Sequence, residues 1–316
     1  MSGAVTGTAT GAGFARHLRM LRPAAGVLAF YDGRIEGHRF GDGANWVDDG
    51  ALSLGIASYA IVDGDHALVY DTHVSRAHAA RVRRWLAGEG VTRFSVVLSH
   101  RHLDHIAGTA EFADCEIIAN ARTAAHLARD RVAIEAGTLH GAPAISPLIL
   151  STRTFTGETT LFIGQTEVRL IEANIHSDDA TVLYLPQSGL LFAGDTVEDT
   201  VTYVGDPAAF ATHLADLARL SALKPKAILP NHGAADIIER GGYGPDLIAA
   251  TAAYIRWLMA LQDDPGRAGM PLHQAIAPQL AAGALRWFAP YSVVHAQNIA
   301  RTMAHYHGAS SRGGGA

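Results

Sequence analysis

The sequence predicts an α/β protein in which groups of strands are followed by helices twice along one chain. Short apolar, β-branched runs recur in both halves and are closed by Gly, Asp, Asn or Pro, the punctuation of strands and tight turns. Between these groups lie segments with Ala, Leu and Val at helical spacing and charged residues in the gaps. With 316 residues and 48% hydrophobic content, the chain can bury the core of one large domain with an appendage. Its formal net charge of -5 argues against nucleic acid or an anionic membrane as a partner, since both call for a basic surface. No apolar run approaches the ~18 residues of a membrane span.

Residues 1–20 read as a flexible N-terminal segment, because Met1–Gly13 is small and uncharged, with no basic stretch leading into a long apolar one. The sole cysteine, Cys115, cannot form an internal disulfide, so nothing in the chain depends on an oxidising compartment and a cytoplasmic location is expected. Cys115 itself opens the apolar run Glu116–Ala119 and reads as a small core residue. The main domain is expected over 21–262. Gly26–Tyr31 reads as a strand, and Ser58–Val62 and Ala67–Tyr70, joined by Asp63-Gly-Asp-His66, read as a hairpin in which Gly tolerates positive φ. Asp71-Thr-His-Val74 then ends a strand ahead of a helix over Ser75–Ala87.

Phe94–Leu98 is the next buried strand, and Ile106–Phe112 starts the next helix. Between them stand His100, His102, Asp104 and His105, four metal-binding side chains in six consecutive residues at a strand-to-helix turn. Sites collect at such carboxyl ends of strands in open α/β sheets. Three imidazoles and a carboxylate this close repel one another on protonation unless something positive holds them deprotonated.

This His-x-His-x-Asp-His pattern resembles the signature of the metallo-β-lactamase-fold hydrolases. The resemblance implies a four-layer αββα sandwich, here with a C-terminal helical extension, and three further ligands downstream. His176 in Glu172–Thr181, Asp195 in Leu190–Thr196 and His232 in Ile228–Gly233 meet that demand, each after an apolar run and beside Gly, Ser or Asn. Relatives also carry an Asp where Asp71 stands, supporting the ligands from behind. His73 stands where they commonly have Gly, and it becomes a candidate substrate contact.

After the signature, Asn120–Ala136 reads as an amphipathic surface helix with a solvated His126. The breaker-rich segment Gly137–Pro147 is the first candidate for a loop over a pocket. Thr159–Ile163 with Thr166–Ile171, and Thr181–Leu185 with Leu190–Ala193, read as hairpins whose partial alternation suggests cover on both faces. Tyr203, close in sequence to Asp195, is a second candidate substrate contact. A helix over Pro207–Leu220 has Asp206 as its N-cap and Pro207 at its first position. Asp246–Leu261 is a further helix. Beyond Gln262–Gly266, the segment 263–308 holds two helix-like stretches, Pro271–Leu280 and Tyr291–His307, too short for a core of their own and so packed on the main domain. The pair His305-x-His307 reads as a frayed helix end, and 309–316 as a disordered tail. No nucleophile elbow, phosphate loop or dinucleotide fingerprint occurs.

Imidazoles and carboxylates without a thiolate suit Zn²⁺, with Fe²⁺ and Mn²⁺ as alternatives. Seven ligands exceed one tetrahedral ion, and spacing alone does not divide them. The resemblance implies His100, His102 and His176 on one Zn²⁺, Asp104, His105 and His232 on another, and Asp195 bridging the two. Such a pair makes a shared hydroxide near neutral pH. Asp104, beside that water, is the carboxylate placed to orient it and relay its proton. The expected activity is therefore hydrolysis of an ester, lactone or thioester of a small acyl substrate by a dinuclear zinc enzyme. Asp195 stands where true β-lactamases of this fold usually have Cys or Ser, which points to the thioesterase and lactonase branches over β-lactam hydrolysis. His102, where flavodiiron relatives carry Glu, points away from that redox branch. A mononuclear iron oxygenase resembling the persulfide dioxygenases is the alternative from another reaction class.

Overall fold

The computed structural model describes the chain from Phe14 to Gly313. Its first sheet has seven strands in sequence order: β1 (Arg19–Ala24), β2 (Val27–Asp32), β3 (Ile56–Asp63), β4 (His66–Tyr70), β5 (Arg93–Val97), β6 (Glu116–Asn120) and β7 (Arg153–Phe155). The first four pair antiparallel. From β4 onward the pairing is parallel, which requires crossovers. Helix α1 (Arg76–Gly88) makes the first, the signature turn α2 (Leu103–Ile106) lies in the second, and α3 (Ala121–Ala136) in the third. Ser75 caps α1 by accepting from the His78 N–H, and Asn120 caps α3 by accepting from Arg122 and Thr123.

The second sheet runs β12-β11-β10-β9-β8, built from β8 (Glu158–Ile163), β9 (Thr166–Ile175), β10 (Ser177–Leu185), β11 (Leu190–Gly194) and β12 (Ala227–Pro230). The β11–β12 pair is parallel and is linked by α4 (Phe210–Ala222), which follows a 3₁₀ turn at Pro207–Ala209 whose Ala208 N–H bonds the Asp206 side chain. Then come α5 (Ala235–Glu239), α6 (Asp246–Met259), the short α7 (Leu272–Ala275) and α8 (Ala277–Ala281), and the long α9 (Tyr291–Gly313).

Period-2 alternation explains the layering. In β2 to β4, Ala29, Tyr31, Tyr59, Ile61, Leu68 and Tyr70 face the second sheet, while Leu28, Phe30, Ala60, Ala67 and Val69 face a separate cluster with Val82 and Leu86 of α1 and Leu127 of α3. The second sheet is buried on both sides, with Leu217 and Leu220 of α4 and Ile255 and Leu258 of α6 in the same core as β10. Helix, sheet, sheet and helix thus stack as four layers. Tyr31, Tyr59 and Tyr70 span the seam and donate their hydroxyls to the carbonyls of Gly233, Pro230 and Thr181. Each large ring fills the core while its polar tip finds an acceptor on the other side.

Several boundaries differ from expectation. Residues 1–13 lie outside the described residues, but the expected flexible segment does not extend to 20: Ala15 and Leu18 are buried and β1 begins at Arg19. That strand escaped notice because its arginines and Pro23 break the apolar run, as suits an edge. The expected helix over Pro271–Leu280 is split at Ile276, with Pro278 in the first turn of the second piece. Helix α9 continues past 308 to Gly313, and the rest of the expected tail, 314–316, lies outside the described residues. His126 is half-buried, its Nε2 3.1 Å from Asp178, where a freely solvated side chain was expected. Among the described residues no helix is long and apolar enough to cross a membrane.

Candidate metal centre

Asp71 directly follows β4, His100 and His102 lie in the turn after β5, and α2 carries Asp104 and His105. On the other sheet His176 occupies the reversal between β9 and β10, while Asp195 and His232 follow β11 and β12. Strands from both sheets therefore end at one place. Local backbone chemistry helps them do so. Gly194 adopts φ +56°, and a Cβ there would lie 2.9 Å from the Tyr70 hydroxyl and 3.2 Å from Ser99, so only glycine lets the Asp195 turn approach the signature turn. Gly108 likewise packs against the Thr72 carbonyl, where a Cβ would come within 2.2 Å.

The seven expected ligand residues meet in two groups. His100, His102, His176 and Asp195 form one and Asp104, His105 and His232 the other, the ligand atoms of each lying within 4.8 Å of one another. His102 presents Nδ1, 2.9 Å from both His100 Nε2 and His176 Nε2. Asp104 Oδ2 lies 3.4 Å from His105 Nε2 and 3.3 Å from His232 Nε2. One oxygen, Asp195 Oδ2, lies 3.6 and 3.5 Å from His100 and His176, and 3.1 and 3.5 Å from His105 and His232. A tetrahedral ion with ~2.0–2.1 Å bonds holds its ligand atoms about 3.3 Å apart, so both groups have the dimensions of a metal site. Asp195 Oδ1, buried and without a hydrogen-bond partner, is a further donor that a cation would satisfy.

Electrostatics point the same way. Burial alone would lower His105 and His232, yet Asp104 and Asp195 hold both well above the ordinary imidazole range. Burial would raise those two carboxyls, yet the facing imidazoles hold them well below the ordinary range. His100 and His102 are pushed down by burial and by neighbouring imidazoles. The carboxylates thus draw positive charge to this spot, and metal binding would exchange those protons for an ion.

The far sides of the rings are anchored. Asp71 Oδ2 lies 3.0 Å from His105 Nδ1 and also accepts from Asn231, while Oδ1 accepts from the Ser99 N–H at 2.7 Å. His232 Nδ1 lies 2.9 Å from the Gly55 carbonyl, and Ser99 Oγ lies 2.8 Å from His100 Nδ1. Arg101 is held by Asp178 at 2.7 Å and Asp179 at 2.6 Å, fixing the turn between His100 and His102. The third acidic group, His126 with these two aspartates, is thereby already ion-paired.

Above the cluster opens a cavity of about 590 Å³ lined by five of the ligand residues, His102, Asp104, His176, Asp195 and His232. Tyr203 lines it, its ring centroid 5.6 Å from that of His176. His140, from the breaker-rich segment, lines it too, and that segment is tied down by the Trp46 indole donating to the Pro143 carbonyl. His73 does not line it. Its ring is 1% exposed, stacks 4.5 Å from His78 and accepts the Val74 N–H, so the expected substrate contact is instead a packing residue. Burial and the neighbouring His78 push its pKa well down.

One buried acid was missed. Glu198 lines the cavity with Oε1 3.5 Å from His176 Nδ1, accepts from Thr202, and takes the Tyr291 hydroxyl at 3.0 Å. No spacing rule marks it, and its only signal is a Glu-Asp pair, Glu198-Asp199, three residues after Asp195.

The family model "Metallo-beta-lactamase superfamily" matches residues 54–232, more than half of the chain. Among solved structures, a metallo-beta-lactamase from Pontibacter korlensis is similar at 18% identity and TM-score 0.58, covering 76% of this chain and 99% of its own. One from Hirschia baltica is similar at 17% identity and TM-score 0.53, with 76% and 98% covered. The metallo-beta-lactamase FIM-1 from Pseudomonas aeruginosa, in a mono-zinc form, is similar at 17% identity and TM-score 0.55, with 76% and 95% covered. No curated protein matches significantly in sequence. At these identities the structural likeness speaks for the fold, and the family match together with the assembled His and Asp side chains places the chain in the metallo-β-lactamase superfamily of metal-dependent hydrolases.

Proposed function

We propose that the chain hydrolyses an ester, lactone or thioester of a small acyl substrate at a two-metal centre. In this reading His100, His102 and His176 would hold one ion, Asp104, His105 and His232 would hold the other, and Asp195 would serve both. The single observation that carries it is Asp195 Oδ2, within 3.6 Å of Nε2 atoms from both groups. Zinc fits the nitrogen-rich, thiolate-free set, with Fe²⁺ or Mn²⁺ as alternatives. Bound divalent ions supply Lewis acidity and bring a water near neutral pKa. The protein's own residues do the rest. Asp104, with 17% of its side chain exposed and its carboxyl held ionised by His105 and His232, takes the proton from the attacking water and returns it to the leaving oxygen or sulfur. Tyr203, whose hydroxyl burial keeps protonated, orients the acyl carbonyl.

Metal analysis of purified protein with an ester, lactone and thioester panel tests this. About two zinc ions per chain with turnover supports it. About one iron with sulfur-dependent oxygen uptake would replace it with an oxygenase, and hydrolysis confined to β-lactams would move the substrate to that class.

A further inference from the structure

Three of the clustered imidazoles have their outer nitrogen beside a fixed partner. His105 Nδ1 lies 3.0 Å from Asp71, His232 Nδ1 2.9 Å from the Gly55 carbonyl, and His100 Nδ1 2.8 Å from Ser99 Oγ. His176 is different. Its Nδ1 is buried without a hydrogen-bond partner, and the acid that faces it is Glu198, whose Oε1 lies 3.5 Å away. Glu198 is itself 2% exposed and, among the described residues, forms no ion pair except with this ring. Its other partners are neutral: Tyr291 donates its hydroxyl to Oε2 at 3.0 Å, while the Thr202 hydroxyl and the Tyr203 N–H lie 3.2 and 3.4 Å from Oε1. A carboxylate buried among neutral donors is costly, and a ring N–H aimed at it offsets that cost while leaving the opposite nitrogen free for an ion. Closing the gap to hydrogen-bond range takes about half an ångström.

Tyr291 opens α9, beyond the matched residues 54–232. Burial and the adjoining Glu198 hold its hydroxyl protonated, so it donates and fixes Oε2, with Oε1 turned to His176. The same helix grips the intervening loop, because Asn298 accepts the Val204 N–H and donates to the Thr202 carbonyl. The next residue but one after Thr202's neighbour, Gly205, donates its N–H to the His176 carbonyl, so the loop meets His176 at backbone and ring alike. We propose that Tyr291 is a positioning residue for the metal centre: through Glu198 it keeps the His176 proton on Nδ1 and leaves Nε2, which faces His102 and Asp195, as the metal-binding atom. A helix outside the matched segment thereby orients a ligand that lies within it. This rests on the ligand assignment in the reading above.

The test is Tyr291→Phe, which removes one hydroxyl and keeps the ring. In metal-free protein at pH ~8, above the ordinary imidazole range, ring ¹⁵N shifts report the His176 tautomer. The His176 signals are identified by their absence in His176→Gln. The proton should sit on Nδ1 in the wild type and be divided between Nδ1 and Nε2 in Tyr291→Phe. Chelator competition should show one zinc ion held ~10-fold less tightly by the variant and the other held within about twofold of the wild type. A proton on Nδ1 in both proteins, zinc held equally by both, or equal weakening of both ions would overturn the proposal and leave Tyr291 to the fold. The expected tautomer and zinc results in a protein that turns over no ester, lactone or thioester would instead overturn the hydrolase reading and leave the role of Tyr291 standing.

Discussion

Asp71 has φ +66°, a conformation that few non-glycine residues adopt and that Asp and Asn tolerate best. Its carboxylate touches His105, Ser99 and Asn231 at once, so the strained backbone is held by the hydrogen bonds it makes possible. Asp71→Asn keeps the shape and removes the charge that orients His105. It should fold normally while losing ~10–100-fold in zinc affinity or turnover, read by chelator competition and kinetics. Wild-type values for both would mean that Asp71 serves only the turn. Glu198 makes a parallel case on the other metal group. In Glu198→Gln the buried His176 ring faces a neutral amide, and the Tyr291 and Thr202 hydroxyls must share one acceptor oxygen. Loss of about 1–3 kcal/mol in denaturant unfolding, together with weaker zinc retention, is expected. A change in stability alone, with zinc held as in the wild type, would show that Glu198 serves the fold and not His176.

At the scale of elements, α9 decides more than its position in the chain suggested. Asn298 on its buried face accepts the Val204 N–H at 2.8 Å and donates to the Thr202 carbonyl at 2.9 Å, clamping the loop that carries Glu198 and Tyr203. Asn298→Ala strands two buried backbone groups, and each stranded group costs ~1–3 kcal/mol. Equilibrium unfolding should therefore fall by at least about 1 kcal/mol, and a loss within ±0.5 kcal/mol would mean that the loop holds itself. The sequence reads Tyr291–His307 as helix-like and packed on the main domain, and the structure has a helix there with Tyr291, Asn298 and Thr302 buried. The sequence did not show that Pro290, Val293 and Val294 line the cavity, because helical periodicity marks an apolar face without saying what that face meets. The same limit hid β1, whose charged edge positions mask a strand with only Leu21 buried among its residues.

For the whole molecule, the signature turn and the three later candidate ligands were legible because metal chemistry confines such groups to a few residue types at strand ends. The structure brings all seven together as the resemblance implied. What surrounds them was less legible. Asp71 came only through the resemblance, His73 was misjudged because its environment is tertiary, and Glu198 has no motif. Metal should also govern stability, since ions that bind the folded state alone stabilise it by mass action. Free zinc at ~100 times its dissociation constant should add about 2.7 kcal/mol, raising Tm by several degrees over chelated protein. Identical melting with and without chelator would argue that the cluster binds no ion tightly.

The claim on which the rest depends is that one carboxylate serves two ions. Two dications a few ångström apart repel strongly in a site drier than water, and a shared anion attracts both. Asp195→Asn keeps the shape and the turn but removes that charge. The most direct measurement is zinc stoichiometry, with turnover, of Asp195→Asn beside the wild type. About two ions per wild-type chain, about one in the variant, and activity lower by orders of magnitude are the predicted result. Two tightly held ions with undiminished turnover in Asp195→Asn would contradict it.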